Sequence, residues 1–411
     1  MLIPSIHLAK GQAVQLCQGR ELEVVAETDP RELAREFARV GDIALIDLDA
    51  ARGTGDNIDL VEELCALAPC RVGGGIRDTE RAQRLLRAGA RKLIIGTRAE
   101  PEFLGQFPAA RLVAAVDTRD DRVLDQGWTA EQPEDPLDRA RRLEPHVSGF
   151  LYTLVEREGM ENGAHLDRIR AFAQAVAKPV TAAGGIVTAG EIAELDRLGV
   201  DAKVGMALYK GTLTLAAGFA AVIDFARGDG TVPTVVQDVR DGRVLLVTES
   251  TRATLAEAIE SGQAVLPSRR RGWWRPDDTA TPSPRLVRVE VNCERNALLF
   301  LVEPQGSTCH RGTASCFGDR TFSLRQLEDV IRARAVATED GSYTRRLLAD
   351  AVARRAKILE EANEVIEART RAEVRHEVAD LLYHLLVDLV ARDLPLSAVV
   401  TELESRRRRP D

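Results

Sequence analysis

Gly74-Gly75-Ile76 recurs as Gly184-Gly185-Ile186, an offset of 110 residues. Gly96, closing Ile94-Ile95-Gly96-Thr97, recurs as Gly205 in Val204-Gly205-Met206, an offset of 109. Position 7 maps in the same way onto position 117, so His7 and Asp117 fall at equivalent strand ends. Self-similarity at a fixed offset marks a fold assembled from two like halves. Outward from these glycines, short β-branched runs alternate with helix-period segments from residue 1 to about 228. The strands predicted are Leu2–Ile6, Ile43–Asp47, Cys70–Val72, Lys92–Ile95, Leu112–Val116, Gly149–Thr153, Pro179–Ala182 and Ala202–Val204. Helices are predicted between them, among them Pro30–Val40, Thr79–Arg87 and Ala189–Leu198. Eight strands alternating with helices predict an α/β chain that begins with a (β/α)8 barrel, its halves facing each other across a pseudo-two-fold axis.

At 411 residues the chain is too long for one small core. With 45% hydrophobic and 29% charged residues it reads as globular. The formal net charge of −8 argues against a nucleic-acid partner, which needs a basic surface. The basic run Arg406 to Arg409 is short and reads as a solvated end. Met1-Leu2-Ile3-Pro4 runs straight into a strand pattern, so no leader is expected. The apolar stretch Leu213 to Ala226 is broken by Gly218 and Asp224 and is too short to span a bilayer. Cys17, Cys65 and Cys70 read as small buried apolar residues. Cys293, Cys309 and Cys316 cluster, which points to one metal site in a cytoplasmic protein rather than a disulfide scaffold.

Arg227-Gly228-Asp229-Gly230 is turn chemistry and ends the barrel. Beyond it come alternating runs at Thr234–Gln237 and Val244–Thr248, a helix at Thr251–Ser261, and strands at Leu286–Val291 and Leu298–Val302. These predict a small α+β zinc module. From about residue 322 the pattern is helical, with long helices at Leu347–Ala368 and Ala372–Ala391 and a third at Leu396–Ser405. The expected domains are 1–228, 229–320 and 321–411.

Active sites of such barrels lie at the C-terminal strand ends. Glycines there let backbone N–H groups approach phosphate oxygens. Gly74, Gly75, Gly96 and Thr97 make one candidate cradle; Gly184, Gly185 and Gly205 make another. The bland alternative is that these glycines only form tight turns, but two matching sets imply a ligand with a phosphate at each end. His7 and Asp117 sit between them as a candidate base and acid. With these residues in view, residues 1 to about 225 resemble the phosphoribosylformimino-aminoimidazole carboxamide ribotide isomerase family. The matching stretches include Ile3-Pro4-Ser5-Ile6, Asp47-Leu48-Asp49, Val72-Gly73-Gly74-Gly75-Ile76-Arg77, Gly127-Trp128-Thr129 and Val204-Gly205-Met206-Ala207-Leu208-Tyr209. The resemblance implies conversion of an aminoaldose to an aminoketose by one acid on strand one and another on strand five. The second is Asp117; the first is replaced by His7, and the family's Asp after Tyr-Thr is Leu154. Its Asp-Gly-Thr element reads Glu158-Gly159-Met160.

Three thiolates can hold Zn²⁺ and leave its fourth position for water, whose pKa the metal lowers to about 7. A closed structural zinc with His310 as fourth ligand is the alternative. The spacing of Cys293, Cys309 and Cys316, with Val302-Glu303-Pro304 and Cys309-His310-Arg311-Gly312 between them, resembles phosphoribosyl-AMP cyclohydrolase. Val235-Val236-Gln237-Asp238, Gly242-Arg243-Val244-Leu245 and Ser268-Arg269-Arg270 match as well. The resemblance implies ring opening of a purine by zinc-bound hydroxide. Around the first cysteine the family carries Asp-Cys-Asp-x-Asp for a second, hard metal; here the run is Asn292-Cys293-Glu294-Arg295-Asn296. A further family loop reads Asp277-Asp278-Thr279-Ala280-Thr281.

Glu361 and Glu364 are three residues apart, as are Glu377 and Asp380, so each pair shares a helix face. The second pair opens the apolar run Val378 to Val387, where acids are costly unless something positive meets them. A short turn makes the two helices antiparallel, so the four acids can converge on Mg²⁺. From Leu327 onward the chain resembles phosphoribosyl-ATP pyrophosphohydrolase, through Asp340-Gly341-Ser342-Tyr343-Thr344-Arg345-Arg346, Glu360-Glu361-Ala362-Asn363-Glu364 and Glu377-Val378-Ala379-Asp380. That resemblance makes Glu360 a catalytic candidate, although an ordinary surface glutamate fits it too. It also implies a homo-oligomer formed through these helices. Together the resemblances imply three steps of histidine biosynthesis on phosphoribosylated nucleotides. Two alternatives are a protein in which only the pyrophosphohydrolase works and the other modules serve as scaffold or ligand sensor, and a hydrolase of a different nucleotide.

Overall fold

The computed structural model describes residues 1–18, 21–268, 272–274, 283–309, 311–318, 322–336 and 342–407. Eight parallel strands close on themselves: β1 Leu2–Ala9, β2 Ile43–Asp47, β3 Cys70–Gly73, β4 Lys92–Ile95, β5 Leu112–Arg119, β6 Phe150–Leu154, β7 Val180–Ala183 and β8 Val200–Val204. Each pairs with the next, and Leu2↔Ala202 to Pro4↔Val204 join β8 to β1. Strand period separates the two faces. Leu2, Ile6 and Leu8 point outward into the core beneath the helices, whereas Ser5 and His7 alternate with them. Ile94, Val113, Ala115, Leu151 and Ala183 fill the barrel interior, so this is a packed core rather than a pore.

Two antiparallel hairpins extend the barrel and were not read from the sequence. Gln12–Cys17 folds back on β1 and pairs with Glu21–Val25; Arg122–Asp125 folds back on β5 and pairs with Ala130–Gln132. Their registers repeat the internal symmetry. His7 faces Val14 in one, and Asp117 faces Leu124 in the other.

The next sheet has strands β9 Thr231–Asp238, β10 Val244–Thr251, β11 Arg285–Val291 and β12 Leu298–Glu303, in the order β10-β9-β12-β11. Helix α1, Arg252–Ser261, starts at a Thr251–Thr254 capping box and ends at Gly262, whose φ is 69°. The chain forms two compact units, Met1–Asp238 with Val244–Gly312, and Val239–Arg243 with Thr313–Asp411. Within the first, one core runs from the barrel into this sheet through Val232, Val236, Leu255 and Phe300.

The second unit holds α2 Leu324–Val336, α3 Tyr343–Ala349, α4 Ala351–Glu367, α5 Arg371–Ala391 and α6 Leu396–Arg407. Its core is Ile331, Leu347, Leu386, Val387 and Val390. One expectation is corrected here. The helix predicted to run unbroken from Leu347 to Ala368 is interrupted at Asp350. That side chain accepts from the N–H groups of Val352 and Ala353, and a capping aspartate starts a new helix rather than continuing the old one. The apolar run Val378 to Val387 makes acids in it costly only where the helix is buried, yet Val374, Val378, Leu382 and Leu385 of α5 stand exposed. Apolar residues surround it on all sides, while its own chain covers one stripe. No described helix is long and apolar enough to cross a membrane.

Candidate active sites

A cleft opens at the C-terminal ends of the barrel strands, lined by His7, Asp117, Trp128, Glu158 and Lys203 among others. His7 is buried, and its Nδ1 has no hydrogen-bond partner among the described residues. Burial, reinforced by the charge of Lys203, holds the imidazole well below its ordinary pKa of 6.5, so it is uncharged at neutral pH. Burial acts oppositely on Asp117 and raises its carboxyl pKa, although the Trp128 indole donates to Oδ2 at 2.8 Å. An uncharged imidazole and a carboxyl pushed toward its acid form suit a divided base and acid role.

Lys203 and Glu158 were not read as site residues. Their buried ion pair, Nζ to Oε1 at 3.4 Å, lines the same cleft. The legible signal was a lysine alternating with apolar neighbours in a buried parallel strand, where a charge needs a partner.

The first glycine set does line the cleft: Gly74, Gly75, Gly96 and Thr97 all face it. Gly74 and Gly75 have φ of 97° and 68°, in the region that favours glycine. A Cβ on Gly74 would lie 2.2 Å from the Asp47 carbonyl oxygen. Gly74→Ala is therefore expected to cost about 1–3 kcal/mol of barrel stability and to remove any stabilisation by inorganic phosphate, as read by thermal unfolding with and without the anion.

The second set differs. Gly184 and Gly185 repeat the left-handed backbone, with φ of 106° and 79°. Neither they nor Gly205 is among the residues lining the cleft. A Cβ on Gly205 would stand 2.5 Å from Gln15 Oε1 and 2.7 Å from Ser5 Oγ, while the equivalent direction at Gly96 is open to 3.9 Å. The Gln12–Cys17 hairpin lies against the loop after β6, through Gln18 N–H to the Glu158 carbonyl at 2.8 Å.

In the helical unit, one carboxylate oxygen each from Glu361, Glu364 and Glu377 lies within 4.8 Å of the others. Helix α4 supplies the first two and α5 the third. Glu361 is buried; Lys357 Nζ and His384 Nε2 lie 3.4 and 3.5 Å from its Oε1. Partial desolvation and then the charges of Glu361, Glu377 and Glu360 push the Glu364 carboxyl above its usual range. Clustered oxygen donors that repel one another when empty suit a hard divalent cation. Asp380, the fourth predicted acid, stands outside this group and lies 3.5 Å from His376 Nε2. Glu360 is half-exposed and held by Lys357 at 2.8 Å. His384 is buried against Tyr343 and Tyr383, and burial keeps its pKa low. Lys357 was missed, though a lysine four residues before Glu361 on one helix is a readable signal.

Cys293 lies exposed between β11 and β12, Cys309 is buried after β12, and Cys316 is exposed in the second compact unit; none is in a disulfide. Thiolates suit a soft cation such as zinc, but the group of described ligand atoms close enough together to hold a metal is the glutamate set above, without these cysteines. His310, Arg269, Arg270 and residues 277–281 lie outside the described residues.

Comparison with known proteins follows the same division. Residues 1–214 match the family model described as histidine biosynthesis protein. Residues 247–318 match phosphoribosyl-AMP cyclohydrolase, and residues 324–407 match phosphoribosyl-ATP pyrophosphohydrolase. The 1-(5-phosphoribosyl)-5-((5-phosphoribosylamino)methylideneamino) imidazole-4-carboxamide isomerase of Gemmatimonas aurantiaca is 38% identical over 224 residues, covering 51% of this chain and 94% of that protein. The isomerase of the same name from Methanosphaera stadtmanae is 33% identical over 228 residues, 52% of this chain and 96% of that protein. The histidine biosynthesis trifunctional protein of Neurospora crassa is 31% identical over 336 residues, 78% of this chain and 35% of that protein.

Proposed function

The chain belongs to the histidine biosynthesis protein family, and on that premise we propose that its helical unit hydrolyses phosphoribosyl-ATP to phosphoribosyl-AMP and pyrophosphate. Isomerase-type, cyclohydrolase-type and pyrophosphohydrolase-type domains follow one another along it. The observation that carries the proposal is the convergence of Glu361, Glu364 and Glu377. These residues would hold Mg²⁺, with Asp380 one turn further along α5. Magnesium, when bound, neutralises charge on the triphosphate and lowers the pKa of water. The ammonium of Lys357 fixes Glu360 and Glu361 together. Glu360, nearer solvent, accepts the proton of the attacking water as the bond between the α- and β-phosphates breaks.

We read Cys293, Cys309 and Cys316 as zinc ligands from their spacing, for opening the purine ring of phosphoribosyl-AMP. In the barrel, His7 takes a proton and Asp117 gives one during the following isomerisation. The first glycine set receives one phosphate of that substrate and the second set the other. We further propose domain limits at 228 and 320, a cytoplasmic location, and a homo-oligomer that covers the exposed face of α5.

A second reading has a specific observation in its favour. The ion pair Lys203–Glu158 occupies the cleft, which opens on one glycine set only. On that reading the barrel binds ligand without turnover. The deciding experiment supplies phosphoribosyl-ATP, Mg²⁺ and Zn²⁺ to the purified protein and follows each product by mass. Passage to the isomerised ribotide supports all three steps, accumulation of phosphoribosyl-AMP leaves only the first, and persistence of phosphoribosyl-ATP sinks the proposal.

The buried imidazole also sets an acid-side signature. An unfolded chain protonates His7 below pH 6.5, while the folded barrel resists. Stability contributed by the neutral imidazole is thus complete above 6.5 and lost as pH falls toward the depressed folded value, by about 1.4 kcal/mol per pH unit. His7→Gln is expected to flatten that slope by one proton in urea unfolding measured across pH. Equal slopes in the two proteins would refute the assignment.

A further inference from the structure

The loop Asn292–Asn296, which carries Cys293 between β11 and β12, has its polar groups committed within the protein. Asn292 Oδ1 accepts from the N–H groups of Asn296 and Ala297 at 2.9 and 3.0 Å. Asn296 Oδ1 accepts from Asn292 Nδ2 at 2.7 Å. Glu294 Oε2 accepts from Asn296 Nδ2 at 3.1 Å and from Arg227 at 3.2 Å. A hard cation wants six or so oxygen donors, and these three are already engaged.

Arg295 turns outward from the same loop, with a φ of 58°. Its Nη2 and Nε donate to Asp196 Oδ1 and Oδ2 at 2.7 and 3.1 Å, a two-pronged pair. Asp196 belongs to the barrel helix Ala189–Arg197, and its side chain is only 12% exposed. It also takes the Met1 ammonium at 3.1 Å. Behind the guanidinium, the Arg295 carbonyl accepts from Asp224 N–H at 2.7 Å, so both side chain and backbone are fixed to the barrel segment. Two other arginines join the same parts: Arg39 donates to the Ile259 carbonyl at 2.8 Å, and Arg252 to that of Ala220 at 3.0 Å. Neither of these touches the Cys293 loop.

We propose that Arg295 is a positioning residue: by gripping Asp196 it makes the barrel the mount that fixes the loop carrying Cys293, and with it the place where that thiol is offered to zinc. The zinc part of this rests on the reading of Cys293 as a ligand; the docking part does not.

The test uses the full chain with Arg295→Ala, Asp196→Asn, the double variant and Arg295→Lys. Two quantities are read: hydrogen exchange of amides 292–297, and zinc retention against a chelator. Both single variants should speed exchange at least about tenfold and weaken zinc retention about 10–100-fold, the range for removing a partner that orients a metal ligand. The double variant should be no worse than either single one, and Arg295→Lys should recover part of both effects. Unchanged exchange in Arg295→Ala overturns the docking role, with or without zinc. Faster exchange with unchanged zinc retention overturns the positioning role. A wild-type protein that holds no zinc overturns the ligand reading of Cys293 alone, and the exchange result then decides the docking.

Discussion

Glu361→Gln is expected to slow pyrophosphate release from phosphoribosyl-ATP by about 10²–10³-fold, the several kcal/mol that a bound cation supplies to a phosphoryl transition state. Glutamine keeps the shape of glutamate and a group for Lys357 and His384 to meet, so the helical unit should stay folded by circular dichroism. It removes the charge from the most buried of the three clustered acids. Glu360→Gln should slow the reaction while sparing magnesium affinity, because Glu360 stands outside the cluster. Activity of Glu361→Gln within threefold of the parent would mean that the cluster takes no part in the reaction.

Lys203→Met should have the largest effect on stability. It leaves the Glu158 carboxylate buried without its cation, a change that costs about 3–5 kcal/mol when one partner of a buried pair is removed. Replacing both, as Lys203→Met with Glu158→Leu, should recover most of that loss, because no uncompensated charge remains. Chemical denaturation of the four proteins gives the cycle. The same substitution removes the cation facing His7, so the imidazole pKa should rise, observable by NMR titration. A single variant as stable as the parent would show that water already solvates Glu158 in the cleft.

The barrel was legible because its glycine repeat and its strands obey local rules. Glycine at 74, 75, 184 and 185 serves a left-handed backbone, and all eight strands fall where the β-branched runs predicted them. The two hairpins escaped because Gln12–Cys17 and Arg122–Asp125 are short and partly polar, and their pairing is set by the strands they fold back on. Asp350 was read as one turn of a longer helix, since periodicity does not register a cap. The uneven opening of the cleft was hidden too. The glycine repeat is symmetric, but Gln15 fills against Gly205 what stays open beside Gly96. In the helices, spacing placed Glu361, Glu364 and Glu377 correctly on facing surfaces, while the direction of the Asp380 side chain toward His376 depends on rotamers that spacing does not carry. Lys203 and Arg295 were visible only as departures from pattern; their partners, Glu158 and Asp196, are 45 and 99 residues away.

The measurement closest to the central claim is steady-state pyrophosphate release by the purified chain from phosphoribosyl-ATP and from ATP, over a magnesium titration. Saturable, magnesium-dependent release with strong preference for phosphoribosyl-ATP is the predicted result. No release from phosphoribosyl-ATP at any magnesium concentration, or equal release from both nucleotides, would contradict it.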